Sequence, residues 1–392
     1  MKLPAGFKFG GLHCGIKQAS DTEDISLIVA EEPCVAAAVY TKNQVVAAPV
    51  VLDRQRTPSA NIRAIITNSG NANACTGDLG MANAQEMASR TAQAIGADEE
   101  QVLVMSTGII GEQLPMEAIR GGIESLAQQT GNSETDFMAA ARGIMTTDTV
   151  MKTSFQRVET STEPILIAGM AKGSGMIGPN MATMLGVVLT NAVLTADQAQ
   201  ELLAGFTQQS FNSINVDGHT STNDTVILLS SCRVPCEGES LVAFSEAGLA
   251  ACQDLAKQIV QDGEGATHLI EISVDGAASD ADARVIAEAI ANSPLVKTAF
   301  AGNDPNWGRI VSAAGYAGPD LNVAKTQLKL NGVLLFDAGT PVPFDAESVS
   351  REMAANRDVL VELRVGDGSG RTKFWTCDLT HEYVTINAEY HT

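Results

Sequence analysis

Strand-like and helix-like segments alternate along this chain with no repeat, low-complexity tract or block of charge between them, and that alternation calls for a mixed α and β fold. Ala84, Met87, Ala88, Thr91 and Ile95 recur at helical spacing until Gly96 offers a stop. Residues 102–105 then read as a buried strand leading into a glycine turn at Thr107-Gly108. Ser133 with Asp136 and Thr195 with Gln198 have the spacing of capping pairs. The first predicts a helix running toward Met145, the second one containing Leu202, Leu203 and Phe206. Between them, residues 165–168 and 184–189 are short and rich in branched apolar side chains, as expected of strands in one sheet. Leu249, Cys252, Ala256, Ile259 and Val260 predict a helix ending at Asp262-Gly263, Ile270, Ile272 and Val274 a strand, and residues 280–291 another helix. The Gly- and Ala-rich stretch 275–281 is the expected linker, giving a body over 1–278 and a C-terminal domain over 279–392.

Composition narrows the partners. A formal net charge of -21 argues against nucleic acid or an anionic membrane, both of which need clustered Lys and Arg. No segment has transmembrane length, and the opening Met1-Lys2-Leu3-Pro4-Ala5-Gly6 lacks the apolar core of a secretion signal. Seven scattered cysteines read as reduced, buried thiols of a cytoplasmic protein. Cys232 and Cys236 have no second close Cys/His pair to complete a tetrahedral site, so no metal is expected.

The run Gly173-Ser174-Gly175-Met176-Ile177-Gly178 matches the spacing of a dinucleotide-binding turn, which would imply a nucleotide-dependent oxidoreductase. That turn must open a helix, whereas Pro179-Asn180 and the β-branched pair Val187-Val188 follow; Asp197, at the right distance for a ribose contact, falls in a helix cap. Clustered glycines also let backbone approach closely, and here they would hold Met181-Ala182-Thr183 where a strained peptide bond can react. By itself, Thr183 reads equally as a strand residue that satisfies its hydroxyl locally.

The longer run Lys172-Gly173-Ser174-Gly175-Met176-Ile177-Gly178-Pro179-Asn180-Met181-Ala182-Thr183-Met184-Leu185 resembles the self-processing junction of the ornithine acetyltransferase family. Asn68-Ser69-Gly70-Asn71-Ala72-Asn73-Ala74-Cys75-Thr76-Gly77, Ser106-Thr107-Gly108-Ile109-Ile110-Gly111, Asp304-Pro305-Asn306-Trp307-Gly308-Arg309 and Ile386-Asn387-Ala388-Glu389-Tyr390-His391-Thr392 are similar to further signatures, in the family's order over the whole chain.

The resemblance implies an αββα sandwich of the N-terminal-nucleophile type with a smaller C-terminal domain. It also implies self-cleavage between Ala182 and Thr183 into chains 1–182 and 183–392, assembled as two of each. The new N-terminal threonine carries its own base, an α-amine of reference pKa about 7.7–8.0, beside its hydroxyl. Thr183 is thereby implied to take acetyl from N-acetylornithine and pass it to glutamate, without a cofactor; some members also accept acetyl-CoA. Thr107 and Gly108 are similar to the oxyanion hole, and Thr149, Lys172, Glu264, Asn387 and Thr392 to the substrate contacts. The rival within the fold is an amidohydrolase or aminopeptidase, with water replacing glutamate. Residues 304–309 are expected to form a structural turn, and Cys75 has no base partner that would make it a nucleophile.

Overall fold

The structure, a computed structural model, describes residues 2–19, 22–178 and 184–389. Ala182, Thr183 and Thr392 therefore lie outside the described residues.

The larger sheet is built from β1 (Phe7–Leu12), β2 (Ile25–Tyr40), β3 (Ser59–Asn71), β4 (Val102–Ile109), β5 (Lys152–Val158), β6 (Ile165–Lys172) and β7 (Leu185–Ala192). The two-residue β8 (Ile214–Asn215) belongs elsewhere, and β9 (Thr225–Val234) completes the set. Its order is β4-β3-β2-β9-β7-β6-β5, with β1 added on β2. Strand β2 joins two halves. Ile25 to Ala30 pair with β1 and Ile25 to Val29 with β3; the register with β3 then slips across the exposed Glu31-Glu32-Pro33, and Val35 onward pairs with β9. A break of this kind bends a strand and increases its twist.

Alternation along each strand sends side chains to two different layers. Ile65, Leu103 and Met105 from one half meet Met170, Leu185, Val187, Leu189, Ile227 and Leu229 from the other, with Phe7, Phe9 and Phe137 packed among them. The intervening residues face outward to helices. After the short α1 (Ala48–Asp53), α2 (Gly77–Ile95) and α3 (Met116–Gln129) cover Ala64, Ile66, Val102 and Val104. Helix α4 (Glu134–Gly143) supplies Phe137 to the middle layer. On the far side, α5 (Ala196–Gln208) and α6 (Glu239–Gln261) cover Ile167, Val188, Val226 and Leu228. Helices, half-sheet, half-sheet, helices is the expected αββα sandwich. Both expected capping boxes are present, at Ser133 and Thr195, and Gly96 ends α2 in the left-handed conformation.

The second sheet has the order β13-β12-β11-β14-β10-β15-β8, using β10 (Leu269–Ala277), β11 (Gln327–Leu330), β12 (Val333–Asp337), β13 (Thr340–Pro341), β14 (Asp358–Arg364) and β15 (Gly370–Cys377). Helices α7 (Asp280–Asn292), α8 (Pro294–Ala301), α9 (Trp307–Gly315) and α10 (Ala346–Ala355) accompany it, and α11 (His381–Glu389) ends the described chain. The stretch 275–281 holds the end of β10, a strand flanked by β14 and β15, then a two-residue connection and the start of α7. Its residues are small because backbones nearly touch. A Cβ on Gly276 would lie 2.3 Å from the Gly366 carbonyl oxygen, and one on Gly368 1.9 Å from that of Ala277.

Among the described residues no helix is long and apolar enough to cross a membrane. The thiols of Cys34, Cys236, Cys252 and Cys377 are buried, and burial pushes that of Cys252 up to about 12. Cys75 departs from expectation: it is exposed, in a left-handed conformation. Asn306 caps α9 by accepting the Arg309 amide, so residues 304–309 form a helix entry.

Candidate active site

The parallel strands β3 and β4 end side by side, with Ser69 opposite Thr107 and Gly70 opposite Gly108. The expected turn at Thr107-Gly108 is instead the irregular end of β4. Gly108 has φ +132°, and a Cβ there would sit 2.2 Å from the Gly70 carbonyl carbon, so glycine alone fits. The ladder slips at Asn71, which pairs with both Thr107 and Ile109. Asn223 braces both strand ends, donating to the carbonyls of Ala72 at 2.6 Å and Ser106 at 2.8 Å.

Lys172 ends β6 and reaches the same place. It is buried, and its Nζ donates to Thr107 Oγ1 at 3.3 Å. Desolvation lowers its pKa, a trend opposed by Asp148, Asp224 and Glu264 and reinforced by Lys152. Asp148 itself is buried yet held down at about 2: burial raises it, but Lys172 and Lys152 outweigh that effect. Its Oδ1 accepts from Lys152 Nζ and from the Gly173 amide, both at 2.6 Å. Lys152 also bonds Asp262 Oδ2 at 2.5 Å, completing a buried chain of alternating charge.

The glycine loop is tied down from two sides. Asp217 accepts the amides of Met176 at 2.7 Å and Ile177 at 2.9 Å, and Ser174 meets the Thr147 hydroxyl at 2.7 Å and the Glu264 amide at 2.9 Å. Among the described residues the next element is β7, paired antiparallel with β6, where a dinucleotide turn would open a helix. Glu264, just past α6, accepts from Asn387 Nδ2 at 2.9 Å, and α11 is held in place where Thr380 donates to the Gly265 carbonyl.

These elements enclose a cavity of about 140 Å³ lined by Thr107, Gly108, Thr147, Lys172, Glu264 and Asn387 among others. Five residues proposed from the sequence thus meet in one place. Thr149 does not line it: its hydroxyl and amide engage Asp262, while Thr146 and Thr147 face the cavity. Met184, next along the chain from Thr183, donates its amide to Asp224 Oδ1 at 3.1 Å. Asp148, Lys152, Asp262, Asn223 and Asp224 went unrecognised as site residues in the sequence; Asp148, inside Thr146-Thr147-Asp148-Thr149, and Asp262, read as a helix end, stood in segments that had drawn notice. A donor pair at Lys172 and Thr107 facing a carboxylate at Glu264 suits a zwitterionic amino-acid ligand and a carbonyl that gains negative charge.

The ArgJ family model matches residues 8–392. An arginine biosynthesis bifunctional protein ArgJ of Rhodopirellula baltica is 51% identical over 396 residues, covering 100% of this chain and 96% of its own. The protein of that name from Geobacter sulfurreducens is 46% identical, covering 99% of each chain. A crystal structure of arginine biosynthesis bifunctional protein ArgJ from Bacillus halodurans superposes with a TM-score of 0.50 at 39% identity, over 52% of this chain and 98% of that one. With a family match over nearly its whole length and full-length relatives this similar, the chain belongs to the ArgJ family.

Proposed function

We propose that this acetyltransferase of arginine biosynthesis moves acetyl from N-acetylornithine to glutamate through an ester on Thr183, after cutting itself between Ala182 and Thr183. The observation that carries the reading is the convergence of Thr107, Gly108, Lys172, Glu264 and Asn387 on one cavity. The Thr183 hydroxyl attacks the acetyl carbonyl while its proton passes to the α-amine. Thr107 and Gly108 stabilise the oxyanion, and the proton then leaves with the departing amine of ornithine. The amine of glutamate attacks the ester, giving N-acetylglutamate and restoring the hydroxyl. Glu264 faces the cationic side chain of ornithine; Lys172 and Asn387 hold its polar backbone groups, with Thr392 and a threonine of the 146–149 segment.

The shared name of its relatives, bifunctional, extends the proposal to acetyl-CoA as a second donor. Two copies of each chain in a cytoplasmic assembly, without a cofactor, complete it. The test is incubation with N-acetylornithine alone. Stoichiometric ornithine and one acetyl group on a chain beginning at Thr183 are expected, with discharge when glutamate is added. Fully active protein with no Thr183 N-terminus would sink the reading, and steady ornithine release indifferent to glutamate would make the enzyme an amidohydrolase.

A further inference from the structure

One buried carboxylate, hydrogen-bonded to the residue that follows Thr183, has an oxygen with no hydrogen-bond partner among the described residues. Asp224, 1% exposed, stands at the entry to β9. Its carbonyl accepts the Thr41 amide at 2.9 Å, and the preceding Asn223 is pinned to β3 and β4, so the side chain is held by its backbone. Oδ1 takes the Met184 amide, and the Thr225 amide returns a bond to the Met184 carbonyl at 3.2 Å. Among the described residues Oδ2 is buried without a hydrogen-bond partner. Leaving such an atom unsatisfied is costly, so it calls for an explanation, and a catalytic role is one of the recurring ones.

Covalent geometry supplies the other half of the case. Met184 N is bonded to the carbonyl carbon of Thr183, and ordinary bond lengths then keep the α-nitrogen of that residue within roughly 3–4 Å of Met184 N at any ψ. A carboxylate already bonded to Met184 N therefore stands close enough to meet that nitrogen.

We propose that Asp224 is the positioning residue of Thr183: Oδ1 fixes the Met184 amide, while Oδ2 accepts a hydrogen from the Thr183 α-amine and stabilises the ammonium formed as the hydroxyl attacks. The proposal rests on Thr183 being the nucleophile. Asp224 neither gains nor loses a proton over the cycle; the hydroxyl proton goes to the amine and then to the departing amine of ornithine. Its part resembles that of the carboxylate behind a catalytic histidine, which orients the base and stabilises its cation. Burial pushes the Asp224 carboxyl well above the usual range, against the pull of the Met184 amide, of the polar hydroxyls of Thr41 and Ser221 nearby, neither of which makes a well-formed hydrogen bond to Oδ2, and of the charge of Lys172. In the uncut chain residue 183 offers an amide and no cation; the amine created by the cut is the charge that Asp224 lacks. The other charged groups near this point, Asp148, Lys152 and Glu264, approach through Lys172.

Asp224→Asn keeps the size of the side chain and its bond to Met184. It is expected to fold and to show the Thr183 N-terminus, to lose about a hundredfold or more in kcat, and to move the acid limb of kcat/KM to lower pH as the amine loses its carboxylate. A purely structural role would leave that limb in place, so an unmoved limb with kcat within about twofold of wild type overturns the proposal. If the variant fails to fold or to cut, the wild-type enzyme decides. With 15N-threonine labelling, the Thr183 amine should titrate above its reference of about 7.7–8.0, and a value at or below that range overturns the proposal. Wild-type protein without a Thr183 N-terminus would remove the nucleophile reading and this proposal with it, an outcome distinct from either of the others.

Discussion

Lys172 Nζ donates to Thr107 Oγ1 across 3.3 Å, and since an ammonium can only donate, the threonine oxygen is the acceptor and its own hydrogen is turned elsewhere. A hydroxyl polarised in this way is a better donor to an oxyanion. Thr107→Val is therefore expected to lower kcat by about 10²–10³, with Thr107→Ser retaining most of it. Lys172→Met should likewise lower kcat as well as raise KM. Steady-state kinetics checks both; a Lys172→Met effect confined to KM would reduce that residue to a substrate contact.

Gly175 offers a way to move Glu264 without touching it. A Cβ at residue 175 would fall 2.5 Å from the Glu264 carboxyl, the far end of a flexible side chain, while the backbone there is of a kind any residue adopts. Gly175→Ala is expected to melt within about a degree of wild type yet to raise KM for N-acetylornithine about tenfold or more, the value of a charge-assisted contact. Unchanged KM would remove Glu264 from the donor site.

His268 links the second sheet to the chain that leads into α11. Its Nδ1 lies 3.2 Å from Asp378 Oδ2 and its Nε2 3.2 Å from the Met353 carbonyl, two acceptors that favour the doubly protonated ring. The hydrogen bond to Asp378 raises its pKa above the ordinary 6.5, with burial opposing. A group whose folded pKa is raised contributes stability in full below its unfolded value and loses it as pH rises through the folded one. Melting temperature should thus fall by roughly 1–2 °C on crossing that range upward, and His268→Gln should flatten the dependence. Parallel wild-type and variant melting profiles against pH would exclude the linkage.

Local signals were legible in the sequence and distant ones were not. The boxes at Ser133 and Thr195 are read within four residues, because the cap and its partner share one helical turn. The stretch 275–281 reads as a linker because small residues serve both flexible joints and backbones in close contact, and the second use depends on Gly366 and Gly368, some ninety residues away. Thr107-Gly108 looked like a turn because nothing local says that Gly70 lies against it. Lys152 with Asp262 and Met184 with Asp224 are pairings that only the folded chain creates, so neither buried carboxylate could be told from a surface one. The choice among the threonines of Thr146-Thr147-Asp148-Thr149 is not local either, because the direction of each side chain depends on how Asp148 turns inward to meet Lys152 and Gly173.

The strand order β4-β3-β2-β9-β7-β6-β5 interleaves the two sides of the proposed cut. Strands β7 and β9 come after residue 183, yet they lie between β2 and β6, which come before it, and they pair with both. A break between residues 178 and 184 therefore frees neither piece while the sheet stands. Once the sheet is lost, the pieces are separate molecules whose reunion is second order, so dilution penalises refolding of the cut enzyme and leaves the uncut chain unaffected. The active form would then be reached once, through a precursor that folds as a single molecule, and its lifetime would be set by the rate at which the interleaved strands come apart.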